Sequence, residues 1–155
     1  MPNLFPDGYE EEILEPGDLV EEGPIGYLNG VAFDYERGDF KRDGRNRMLD
    51  SDGIESWKSW CINCIATERY KHLAYSSDFG IELDQVFQAE SREEAESILT
   101  RQITEAIMAD PYRRTAYIES LEFNWTRPDT VEVSAILQGI DEVTIDLVAY
   151  ITKGA

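Results

Sequence analysis

With 155 residues, the chain is long enough for one domain with a real core and too short for two comfortable ones. Its apolar content of 42% is that of a globular protein, and no apolar run approaches the ~20 residues of a membrane span. The formal net charge of −18, from 32 acids and 14 bases, repels nucleic acid and anionic membrane surfaces, so neither is expected as a partner.

The acidity is unevenly placed. Residues 1–36 hold ten acids and no Lys or Arg, while the rest carries 22 acids against 14 bases, an ordinary balance for a soluble domain. Residues 1–26 are rich in Glu, Pro and Gly, with no sustained period. They read as an acidic extension, extended or disordered in isolation, because they cannot bury enough surface to offset chain entropy. Leu4, Phe5, Ile13, Leu14, Leu19 and Val20 leave two readings open, a solubilising tail or a segment that orders on a partner. The opening Met1-Pro2-Asn3-Leu4-Phe5-Pro6-Asp7 lacks the basic start and apolar stretch of a signal peptide. Two cysteines cannot make a disulfide framework, so synthesis in a reducing cytosol is expected. Residues 27–155 are read as a single domain.

A short strand is expected around Val31–Tyr35. A turn-rich basic stretch follows, with Arg37, Lys41, Arg42, Arg45 and Arg47 opposed only by Asp39 and Asp43, and Asp43-Gly44 is a hairpin-type turn pair. Such a stretch is a solvated loop or a seat for an acidic partner or the chain's own tail. Asp50-Ser51-Asp52-Gly53 offers N-cap residues to a helix over 54–67, whose apolar stripe is Trp57, Trp60 or Cys61, Cys64 and Ile65. An irregular stretch with Tyr70, Tyr75 and Phe79 ends at Gly80, and a short helical piece is expected over 81–87. Ser91-Arg92-Glu93-Glu94 is a capping box opening a helix to about Ala109, with Ala95, Ile98, Leu99, Ile103 and Ala106 or Ile107 on one face. Asp110-Pro111 stops it.

The period then changes from 3.6 to 2. Ile118, Leu121, Phe123 and Trp125 mark a strand with a slip in phase after Ile118. Val131, Val133, Ala135 and Leu137 alternate in a second, and Val143, Ile145, Leu147, Ala149 and Ile151 in a third. Turns are expected at Arg127-Pro128-Asp129 and Gly139-Ile140-Asp141. The class is α+β: two main helices packed on a three- to four-stranded antiparallel sheet whose core is the C-terminal meander.

Chemistry-bearing patterns are few. Trp60-Cys61-Ile62-Asn63-Cys64 has the spacing of a disulfide oxidoreductase, but that chemistry needs the first Cys at a helix N-terminus, and the cap lies about nine residues upstream. Two Cys and His72 make at most three zinc ligands. Asp50-x-Asp52-Gly53 registers as a calcium loop only with Met48 first and Ser59 twelfth, where neither can ligate as required. No carboxylate pair is singled out for glycoside hydrolysis, and there is no nucleophile elbow or phosphate-binding glycine loop. No catalytic residue, cofactor or metal is expected, and the chain is read as a structural subunit.

The end of the first helix reads Thr67-Glu68-Arg69-Tyr70, followed by Tyr75-Ser76-Ser77-Asp78-Phe79-Gly80; the end of the second reads Asp110-Pro111-Tyr112-Arg113, followed by the meander. This order resembles the baseplate wedge, or sheath-initiator, family of contractile phage tails, sometimes labelled lysozyme-like, over about residues 31–151. It looks closest to the branch in tails of Gram-positive phages and phage-derived bacteriocins. The family has Gly where Thr67 stands, and Glu-Pro-Arg where this chain has Asp110, Pro111 and, after the intervening Tyr112, Arg113. The resemblance makes Glu68, Arg69, Asp110, Pro111 and Arg113 interface positions and implies that the second motif seats the domain on the wedge's helical bundle. It further implies that the domain joins the wedge to the tail tube or hub and templates the first ring of tail sheath protein by strand addition. Like copies would form a sixfold ring, in a virion or phage-like particle assembled in the bacterial cytoplasm. The strand expected over 142–151, with Glu142, Thr144, Asp146, Val148 and Tyr150 on its outer side, is the edge read as pairing with sheath. The lysozyme-like label transfers no activity. Competing readings are an acidic DNA mimic, which needs acids spread over a folded face, and a small hydrolase.

Overall fold

The computed structural model describes residues 26–154; the expectations for the acidic extension therefore fall outside the described residues, apart from Gly26. The chain runs through a small ribbon lobe, three helices and a C-terminal meander. In the lobe, β1 (Gly30–Val31) pairs with β4 (Asp50–Ser51) and β2 (Phe33–Asp34) with β3 (Asp39–Phe40), both antiparallel. The single strand expected over 31–35 is thus split at Ala32, whose N–H goes to Leu49 while its carbonyl accepts from Lys41. Asp43 closes the second turn, with Oδ1 accepting from the backbone of Arg45 and Arg47, but the loop is longer than a two-residue Asp-Gly hairpin and its left-handed residue is Asn46 (φ 63°) rather than Gly44.

Helix α1 (Gly53–Ala66) begins where Asp52 Oδ1 accepts from the Glu55 N–H at 2.8 Å, a side-chain cap. Trp57, Cys61, Cys64 and Ile65, at helical spacing, are fully buried. The second piece is shorter than expected: α2 covers Leu83–Phe87, because Ile81 is held in a parallel bridge to Glu68. Helix α3 (Arg92–Met108) is capped by Ser91 Oγ, which accepts from Glu94 N–H. The reciprocal half of the box is displaced by one residue, since the Glu94 carboxylate takes the N–H of Glu90 rather than that of Ser91.

The meander is β5 (Thr115–Arg127), β6 (Thr130–Gly139) and β7 (Thr144–Thr152), antiparallel in that order. Val131, Val133, Ala135 and Leu137 of β6 and Ile145, Leu147, Ala149 and Ile151 of β7 lie under the helices, with α1 on β7 and α3 on β5. Their partners on the other face are solvent-facing, so the sheet has three strands and one buried face. Register shifts by one residue between Ile118 and Ser120, where the apolar phase slips in the sequence. Residues Ile140–Glu142 form a 3-10 turn with Asp141 and Glu142 at φ 59° and 60°. Gly139 N–H donates to the Val143 carbonyl across it, so Glu142 belongs to the turn and β7 begins only at Thr144. The third strand therefore starts two residues later than the one expected over 142–151, because a left-handed pair reverses the chain there.

Candidate functional site

The segments that carry the resemblance are far apart in sequence and meet in the fold. Ile81 N–H donates to the Thr67 carbonyl and Arg69 N–H to the Ile81 carbonyl, both at 2.9 Å, while Arg69 Nε reaches the Gly80 carbonyl at 3.1 Å. Gly80 sits at φ +95°, and a Cβ there would lie 2.7 Å from the Thr67 carbonyl oxygen. Only glycine lets the two stretches approach so closely. Glu68 is half-buried and pairs with Lys71 at 3.0 Å.

Beside this clasp lies a groove of about 330 Å³ between α1, the 74–79 loop and the corner after α3. Trp60, Tyr75, Phe79, Asn63, Ala109 and Pro111 line it. Its aromatic wall is continuous: Tyr75 and Phe79 have ring centroids 4.6 Å apart, and Phe79 meets Trp60 edge-on at 5.7 Å. Pro111 thus shares one surface with the 75–80 loop.

Beneath Pro111 the structure separates two adjacent arginines. Asp110 is 3% exposed and receives Arg114 in a fork, Nε at 2.8 Å and Nη2 at 3.1 Å. The same carboxylate accepts the backbone N–H groups of Tyr112 and Arg114, so every strong acceptor site on it is used. Arg114 lies over the rings of Tyr112 and Trp60, at 5.0 and 5.6 Å. Arg113 is exposed, with φ 50°. The resemblance placed the motif arginine at Arg113; the residue that pairs with Asp110 is Arg114. The signal was the i, i+4 spacing across a tight turn, which a three-residue motif does not reveal. Asp110 is the only buried carboxylate among the described residues, and its acceptor positions are taken up by Arg114 and the backbone.

Cys61 and Cys64 lie against Ile65 and the sheet, fully buried in the interior of α1. Burial pushes both thiols up, Cys64 to about 11 and Cys61 further, the opposite of what thiolate chemistry requires.

The second candidate surface is the far edge of the sheet. The Gly139–Val143 bond fixes the parity of the β6–β7 ladder, and Lys153 N–H to Asp129 carbonyl agrees with it at the other end. In such a ladder the residues bonded to β6 are Ile145, Leu147, Ala149 and Ile151, so the N–H and C=O groups of Thr144, Asp146, Val148, Tyr150 and Thr152 point away from it. Among the described residues no strand pairs there. Glu142 stays in the turn and contributes nothing to this row.

The contractile injection system sheath initiator family model matches residues 30–142, well over half of the chain. The chain belongs to the sheath-initiator family. The match runs from the first strand of the lobe through the 3-10 turn and stops short of β7, whereas the resemblance in the sequence extends to about residue 151. No curated protein matches the chain. This family is structural, and its members are components of contractile tails and injection systems that act with sheath and other tail proteins. Among the described residues no helix is long and apolar enough to cross a membrane.

Proposed function

We propose that this sheath initiator joins the baseplate wedge to the tail tube or hub and templates the first sheath ring by strand addition to β7. The observation that carries the reading is a contrast between the two edges of the meander. β5 is irregular along its length, with register shifts at Thr115/Tyr117, Ile118/Ser120 and Trp125/Arg127. Bulges of this kind twist an edge away from further pairing. β7 pairs with β6 over nine residues without a shift and carries no proline, lysine or bulge. A long, regular edge, carrying Asp146 as its single charge, is one that a protein hides or uses, and strand addition to it is directional and largely indifferent to side-chain identity.

In the same reading the aromatic groove and the exposed Arg113, with Glu68 and Arg69 at its far side, face the wedge, and like copies close into a sixfold ring that sets the sheath's starting symmetry. The Gram-positive phage or bacteriocin branch is part of this proposal, as is assembly in the bacterial cytoplasm.

Proline tests it. Thr144 presents its N–H outward, so Thr144→Pro removes one free donor from the edge without breaking the β6–β7 ladder. Ile136 lies opposite Asp146 in a pair not bonded to β7, so its N–H serves β5, and Ile136→Pro breaks the sheet interior. The expected outcome is that Thr144→Pro chain folds, enters baseplates and fails to start sheath, whereas Ile136→Pro does not fold. Normal sheath initiation by folded Thr144→Pro protein would show that β7 is not the template.

A further inference from the structure

The lobe formed by residues 30–51 has a surface unlike the rest of this acidic molecule. Five of the chain's 14 bases fall within residues 37–47, and all five are exposed. Arg47 is paired with Asp43 at 3.0 Å and Arg42 donates to the Asn46 carbonyl. Arg37, Lys41 and Arg45 have no carboxylate within ion-pair distance among the described residues. Between these bases stand large apolar side chains that the lobe cannot bury: Phe40 is 44% exposed, Met48 53% and Leu49 41%. The lobe is too thin to have a core of its own, with its backbone tied by single bonds from Ala32 to Leu49, Lys41 to Ala32 and Leu49 to Lys41. It thus exposes cationic and apolar groups side by side along its short strands and turns, a combination that calls for an occupant bearing both carboxylates and apolar side chains.

Residues 1–25 have that composition. They hold eight carboxylates and no base, interspersed with Leu4, Phe5, Ile13, Leu14, Leu19 and Val20. They are also joined to the lobe's first strand through only Gly26–Asn29. Tyr27 anchors that junction, with its hydroxyl donating to the Ile140 carbonyl at 2.7 Å and its ring 5.3 Å from that of Trp57. A segment tethered so close works at a local concentration on the order of millimolar, so weak contacts suffice.

We infer that residues 1–25 dock across the exposed basic and apolar groups of the lobe of the same chain, wrapping Phe40, Met48 and Leu49 and neutralising Lys41 and Arg45. The seat is electrostatic in large part and lies on exposed groups, so salt loosens it. It shields these basic groups of a strongly acidic subunit until a partner competes for them.

Cleavage of the full chain by a Glu-specific endoproteinase reads the docking, because Glu10, Glu11, Glu12, Glu15, Glu21 and Glu22 all lie in the segment. The rate is normalised to that of a free peptide of residues 1–25 under the same conditions, which removes the effect of salt on the protease. The expected result is slow cleavage in the full chain at low salt, severalfold faster in the Lys41→Gln/Arg45→Gln variant, with the difference lost at high salt. The melting temperature of the variant reports whether it folds, and the wild-type salt series carries the same test without any substitution. Protection should be independent of protein concentration. Equal cleavage of wild type, variant and peptide at low salt would overturn the docking, and protection that grows with protein concentration would overturn its placement within one chain.

Discussion

Asp110 and Arg114 are 3% and 4% exposed, and each is costly to bury without the other. Removing one partner leaves an uncompensated charge at the corner where α3 hands over to β5. Arg114→Ala or Asp110→Ala is expected to cost about 3–5 kcal/mol, measured by denaturant unfolding. Arg113→Ala, one residue away and exposed, should stay within about 0.5 kcal/mol of wild type. Any loss of baseplate incorporation by Arg113→Ala would then be a loss of contact rather than of fold, and equal destabilisation by the two arginine variants would refute the division between them. The two cysteines give a second prediction at this scale. With both thiols raised by burial, native protein at pH 8 should resist alkylation until it unfolds. Between about pH 9, where an exposed thiol ionises, and about pH 11, the unfolded chain sheds thiol protons that the native chain keeps, so stability falls as pH rises through this window. A Cys61→Ala/Cys64→Ala variant should lose that part of the pH dependence; an unchanged slope would assign it to other groups.

Single elements were legible in the sequence wherever one physical rule governs them. Asp52 and Ser91 cap the two long helices because a short side-chain oxygen at that position reaches the free N–H three residues on. The phase slip after Ile118 was visible because a bulge moves the apolar residues to the other parity. What escaped was set by contacts between distant segments or by local turns that no residue type announces. The late start of α2 follows from the Thr67–Ile81 bonding, the late start of β7 from the turn at Asp141 and Glu142, and the Asp110–Arg114 fork from a turn whose shape Pro111 alone does not define. The aromatic groove was missed for the same reason, since Trp60, Phe79 and Pro111 come from three separate stretches. The 3-10 turn itself is a point of tight packing. A Cβ on Gly139 would collide with the Tyr27 hydroxyl and lie 2.7 Å from the Trp57 ring. Gly139→Ala is therefore expected to destabilise by about 1–3 kcal/mol and to lower Tm by several degrees. An unchanged Tm would mean that Tyr27 does not hold this corner.

At the scale of the whole molecule, one buried sheet face, two capped helices and a thin basic lobe leave two conspicuous surfaces. The aromatic groove with Pro111 lies at the corner after α3, and the regular edge of β7 lies on the far side of the sheet from β5. Two separate surfaces suit the role proposed above, in which one meets the wedge and the other offers a strand to the sheath. The resolved junction between baseplate and sheath, imaged in intact particles, tests this division most directly. The account predicts a sheath strand hydrogen-bonded alongside Thr144–Thr152, with bonds to the outward groups of Thr144, Asp146, Val148 and Tyr150. A sheath strand on the β5 edge, or no strand beside β7 in particles with complete sheaths, would contradict it.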